Sequence, residues 1–234
     1  MIRGTQLLLD CICVAILDTG VDPSDRMVKA ALRNGIRDRP RLLLKMAPSA
    51  EIFIGKIWEG KHLDGSLMSS ITKYFWGVDY AVTEWDIDII SLSFDRALKA
   101  DKLLFATASN EGGNRDRSRS ARSSSVICIH ACDGKGNKGL MNPNPEKRAL
   151  NLSALGVAVE SKWEGQAVYK LGTSFATPIA AGIAANVLEF ASYRCHLLPG
   201  NTKWLKRHEG MCAILAEMSF KHVARDIQDI IKGL

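Results

Sequence analysis

Three short stretches carry residues that could act together in nucleophilic chemistry. "GTSFATP" places Ser174 where a helix should begin, and the helix dipole and free first-turn amides there favour developing negative charge. "LLFATASNEGG" sets Asn110 just past a strand, and its side-chain amide can complete an oxyanion hole. "AILDTG" ends another strand on Asp18. A parallel sheet gathers strand ends and helix starts along one edge, so these three residues can meet there.

The elements that would position them are legible. Apolar runs predict strands over 13–17, 52–57, 86–94, 102–110, 124–133 and 153–160, with a "GKGNKG" turn after the fifth. "LLLKMAP" reads as the end of a helix before the second. Leu67, Ile71, Phe75, Val78 and Val82 step at helical spacing and predict an amphipathic helix over 66–84. A long helix should start near Ser174, with Pro178 tolerated in its first turn and small residues such as Ala180, Ala181 and Gly182 allowing close packing. Further helices are expected within 211–219 and along the tail 222–234. Strands alternating with helices predict an α/β sandwich with a mostly parallel sheet.

At 234 residues and 47% hydrophobic, the chain can bury a core without covalent staples. Its six cysteines include no CxxC pair, which predicts free thiols in a reducing compartment and a cytoplasmic setting. Cys128, His130 and Cys132 alternate and should share one strand face as buried residues rather than metal ligands. The net charge of +6 is scattered apart from "NRDRSRSARSSS" (114–125), expected to be a solvated loop, so no nucleic-acid partner is implied. Asp10 interrupts the apolar start and no cleavage site follows, so no secretory signal is expected. The most apolar stretch, 174–191, still carries polar residues, and no membrane partner is expected.

Taken in order, "VAILDTGVD", "ATASNEGGN" and "LGTSFATPIAAG" resemble the subtilisin-like serine peptidases, and "APSAEIFIGKI" and "AVTEWDIDIISLSF" resemble further elements of that family. The likeness covers roughly 12–190 and is closest in wording to intracellular fungal subtilisin-like domains, often parts of larger proteins. It implies a three-layer α/β sandwich over a single domain, 1–234, with 191–234 as a C-terminal helical region. It also implies peptide-bond hydrolysis on polypeptide substrates. Ser174 would form the acyl-enzyme, Asp18 would orient the catalytic histidine, and Asn110 would stabilise the oxyanion with the Ser174 backbone N–H. No cofactor is implied. Calcium occurs in some relatives, but no carboxylate cluster here offers it a site.

Two departures from the family pattern stand out. The catalytic histidine should lie between the aspartate and the "APSAE" strand, yet residues 19–46 contain no histidine. His62 comes too late in order, His130 sits within a strand, and His196, His208 and His222 follow the serine. Asp95 stands where a glycine is usual, and the short stretch 95–102 then leads into the next strand, less than a parallel crossover normally needs. The chain therefore reads as a peptidase domain shortened at two places, by splicing, gene decay or a gene-model error. It is expected to be inactive or severely impaired. The alternatives are a pseudoprotease that binds peptides or partners, and a non-functional fragment.

Overall fold

The computed structural model describes residues 11–18, 41–56, 77–92, 102–147, 149–163, 166–193 and 201–220. Six strands form one parallel sheet: β1 (Cys13–Asp18), β2 (Glu51–Lys56), β3 (Ile89–Leu92), β4 (Leu103–Thr107), β5 (Val126–Cys132) and β6 (Leu152–Leu155). Their order is β2-β1-β3-β4-β5-β6, with every pairing parallel. The strands are short apolar runs bounded by turns, as expected of strands buried on both faces. All of β3 and β4 is buried.

Alternation along each strand divides the core in two. Val14, Ile16, Ile89, Leu103, Phe105, Ile127 and Ile129 face the helices α1 (Arg41–Met46), α2 (Thr173–Tyr193), α3 (Asn201–Leu205) and α4 (His208–Phe220). Ala15, Leu17, Ile90, Leu92, Leu104 and Ala106 pack with Val78 and Ala81 of the helical stretch 77–83 and with Ala121 of a single 3-10 turn, Ser120–Arg122. Helices on both faces of a parallel sheet make the three-layer α/β architecture that the sequence predicts.

The long helix α2 crosses β3 to β6 and lies close to α1. Gly182 makes this approach possible: a Cβ there would stand 2.7 Å from the Met46 Cβ. Asn186 Nδ2 donates to the Met46 carbonyl at the same crossing. By length and composition α2 could cross a membrane, but most of it is buried against the sheet and α1, which accounts for its apolar character. Pro178 falls in the second turn rather than the first, so the Ser174 carbonyl receives no amide from the residue four ahead.

Two other expectations are corrected. The stretch 153–160 is not one strand. It leaves the sheet after Leu155, bends at Val157 and Ala158 (φ 55°), and enters an antiparallel hairpin, β7 (Val159–Trp163) and β8 (Gln166–Lys170). The hairpin is exposed along most of β8, so it leaves no pattern of alternating burial to detect. The basic loop 114–125 is only partly solvated. Arg117 is 4% exposed, its guanidinium donating to Asn151 Oδ1 and standing 3.5 Å from Glu146, while Ser120 and Ala121 are buried. The link from β3 to β4 spans only 93–102, yet the two strands are parallel neighbours. Most of the predicted helix 66–84, the tail 222–234, Asp95, His62 and His196 lie outside the described residues.

Candidate active site

In a parallel sheet all carboxyl ends share one edge. Asp18 is the last residue of β1, in register with Lys56 of β2. The chain leaves β1 for β2 on one side, and β3 to β6 add on the other, so β1 flanks the point where the strand order reverses. That crevice is where open α/β sheets place their ligands. Asn110 follows β4 by three residues on the same edge, two strands from β1, a separation of about 10 Å at the usual inter-strand spacing.

Ser174 is the second residue of α2 and is half-buried. Asn110 meets this helix start directly. Its Oδ1 accepts the Thr173 N–H at 2.8 Å and the Thr173 hydroxyl at 3.1 Å. A backbone N–H can only donate, so the atom facing Thr173 must be the oxygen. The Asn110 Nδ2 is thereby turned away from Thr173, and Asn110 itself is exposed. Gly172 permits the approach: at φ +145° a side chain would be strained there, and its Cβ would lie 3.3 Å from Asn110 Nδ2.

The turn that carries Asn110 is itself strained. Ser109 adopts φ +134°, a conformation L-residues rarely take. It is held on one side by Ser118, whose N–H donates to the Ala108 carbonyl at 2.7 Å and whose hydroxyl donates to the Thr107 carbonyl at 2.6 Å. On the other side the Gly112 N–H donates to the Met141 carbonyl at 2.9 Å. The residues 139–144 that supply this bond are clamped to β5 by Asn142, which is 1% exposed. Its Oδ1 accepts the Ala131 N–H, and its Nδ2 donates to the Ala131 carbonyl.

Two histidines are described, and neither is placed to serve Ser174. His130 alternates with Ile129 and Ala131, so it lies on the sheet face opposite α2. It is 4% exposed, with Nδ1 3.3 Å from the Leu152 carbonyl. Burial, helped by the nearby Arg117 charge, pushes its pKa down to about 4, so it stays neutral. His208 starts α4, just after Lys206, whose ammonium is 2.7 Å from Asp88 at the beginning of β3. That is the amino edge of the sheet, opposite Ser174. His208 contacts Cys212 Sγ at 3.5 Å there.

Cys128 and His130 are buried strand residues on β5, as expected, with Cys132 half-buried at its end. Among the described residues no three His, Cys, Asp or Glu side chains come together in a group that could hold a metal ion. The described cysteines are free thiols. Burial pushes the thiol of Cys128 up to about 11 and that of Cys13 to about 12.

The sequence proposes Asp18, Asn110 and Ser174 as site residues but assigns no role to Thr173, Ser109, Asn142 or Asn144. Thr173 sits inside the quoted motif and shows its role only once Asn110, 63 residues away, is brought to it. "NPNP" at 142–145 is a turn signal that periodicity does not detect.

No protein-family model matches the chain. It is 32% identical over 173 residues to the Thermostable alkaline protease of Halalkalibacterium halodurans, covering 68% of this chain and 44% of that protein. It is 25% identical over 178 residues to the Subtilisin-like protease het-Q2 of Podospora anserina, covering 64% of this chain and 47% of that protein. The chain thus spans about half the length of the curated relatives it matches. Among solved structures, the prenylagaramide maturation protease PagA superposes with a TM-score of 0.62 at 22% identity, over 78% of this chain and 77% of that one. The self-cleaved protease domain of PatA gives 0.60 at 21%, over 88% and 97%. At such identities these two structures establish the shared fold. Together with the ordered motifs and the curated relatives, they place this chain in the subtilisin-like family of serine proteases.

Proposed function

We propose that the edge bearing Asp18, Asn110 and Ser174 is a peptide-bond-cleaving centre of the subtilisin type that, in this chain, lacks its general base. Ser174 Oγ attacks the scissile carbonyl, and the Asn110 amide and the Ser174 N–H receive the oxyanion. Asp18 would orient a histidine. The observation that carries this reading is the fixed orientation of Asn110: Thr173, the residue before Ser174, binds its oxygen, so its amide nitrogen is the end left to donate.

The base is the missing part. Residues 19–46 hold no histidine, and His130 and His208 sit on the wrong face and the wrong edge. An unassisted serine hydroxyl is a poor nucleophile near neutral pH. In subtilisin, loss of the histidine costs on the order of a millionfold in kcat. The chain would bind polypeptides across the edge and turn them over very slowly. Free thiols support a reducing, intracellular setting.

A panel of N-acetyl-tripeptide boronic acids tests the centre without requiring turnover. The Ser174 oxygen adds to boron, its proton passes to buffer, and the boron becomes tetrahedral, which 11B NMR detects. An adduct in the wild-type chain that is absent in Ser174→Ala is expected. No adduct with any member of the panel would overturn the reading.

A further inference from the structure

We propose that Asn144 is a positioning residue for the oxyanion amide, acting on Asn110 through the Gly113 carbonyl. The inference rests on the reading of Asn110 given above. Asn110 occupies a turn whose preceding residue, Ser109, is held at φ +134°. A turn in such a conformation persists only where its surroundings over-determine it, so the bonds on both sides of Asn110 matter. On the β4 side Ser118 holds the backbone at Ala108 and Thr107. On the far side, two of the holding groups come from one strap, 139–144.

That strap is anchored before it reaches the turn. Asn142 makes a two-way bond to the Ala131 backbone at the end of β5, and the Gly139 N–H donates to the Ala131 carbonyl at 3.0 Å. From this fixed base it gives two bonds to the turn. The Met141 carbonyl accepts the Gly112 N–H at 2.9 Å, and Asn144 Nδ2 donates to the Gly113 carbonyl at 2.6 Å. The first is main-chain and indifferent to sequence; the second depends on the Asn144 side chain. Gly113 is shaped to receive it, since a Cβ there would stand 3.0 Å from Asn144 Oδ1. Asn144 itself is exposed, so its bond is not needed to fill the core.

The contacts therefore run from β5 through Asn142 and Asn144 to Gly113, which is three residues along the backbone from Asn110, whose oxygen is fixed by Thr173. Thr173 sets which end of the Asn110 amide faces the nucleophile. Asn144 sets where the turn carrying it stands.

Two variants separate this role from general stability. Asn144→Ala removes the donor, and Gly113→Ala displaces the amide while leaving Asn144 in place. Side-chain amide signals of Asn110 are assigned in the full chain by their loss in Asn110→Asp. Both variants should lower the order parameter of the Asn110 Nδ2 group from a rigid value to below about 0.6, with the urea midpoint unchanged. Both should weaken formation of the Ser174 boronate about 3- to 10-fold, the worth of one hydrogen bond. Asn144→Gln, which keeps the donor, should recover part of the loss. An unchanged order parameter would overturn the proposal, as would a lowered one with undiminished boronate affinity. Failure of the wild-type chain to form the adduct is a different result: it removes the catalytic reading and the proposal with it.

Discussion

Asn110 Oδ1 stands 2.8 Å from the Thr173 N–H and 3.1 Å from the Thr173 hydroxyl, so a loop residue caps a helix 63 positions further along the chain. Gly172 precedes that helix and has no side chain with which to cap it. One side chain therefore satisfies the helix start through its oxygen and turns its amide nitrogen away from Thr173.

Asn110→Ala should cost about 1–2 kcal/mol in urea unfolding, because a helix-terminal N–H and the buried Thr173 hydroxyl lose their acceptor. Asn110→Asp keeps the acceptor and places a negative charge at a helix N-terminus. It should stay within about 0.5 kcal/mol of the wild type. Equal destabilisation by both would contradict the capping role.

Ser109 offers the opposite sign. Glycine accepts the φ +134° conformation without the side-chain clash, so Ser109→Gly should stabilise the chain by roughly 1 kcal/mol. Urea midpoints of the two proteins measure it. A loss of stability would mean that the Ser109 hydroxyl, which accepts the Glu111 N–H at 3.3 Å, outweighs the backbone strain.

Gly156 lies where β6 leaves the sheet beneath the start of α2. A Cβ there would stand 2.6 Å from the Ala131 Cβ, 2.9 Å from the Gly172 carbonyl oxygen and 3.1 Å from the Ala176 Cβ. Gly156→Ala should destabilise by about 1–3 kcal/mol in thermal unfolding, since backbone must shift to admit the methyl group. It should also displace Gly172, whose N–H donates to the Gly156 carbonyl at 2.8 Å.

His130 predicts an acid-sensitive fold. Its pKa falls from an ordinary 6.5 to about 4 in the folded chain, mainly through burial. The unfolded chain therefore binds the proton more readily, so stability is lost as pH drops from about 6.5 to about 4 and levels off below. In His130→Gln this part of the pH dependence should vanish. Unfolding free energies measured between pH 7 and pH 4 decide it, and parallel curves for the two proteins would refute the assignment.

The sheet, and the strand ends and helix start that carry the three candidate residues, were legible because short apolar runs such as "VAIL", "IISL" and "LLFAT" end on polar turns, and because "GTSFATP" joins a turn to a helix of small residues. The β7–β8 hairpin was not, since Gln166, Ala167 and Tyr169 are exposed and give no alternating signal. Arg117 was read as solvated because nothing local announces its distant partners Glu146 and Asn151. The strap was hidden for the same reason: Asn142 acts on Ala131 and Asn144 on Gly113, pairings that only the folded chain creates. Local pattern reveals which face of an element is apolar, but not which distant polar group completes a site.

The central claim is that Ser174 retains its oxyanion partners but not its base. Reaction of the purified chain with a fluorophosphonate, with Ser174→Ala as control and urea unfolding to confirm a cooperative fold, tests it most directly. The account predicts a cooperatively folded chain with no Ser174-dependent labelling at the rate of an active serine hydrolase. Rapid, stoichiometric labelling that disappears in Ser174→Ala would contradict it and would require a base supplied by another residue.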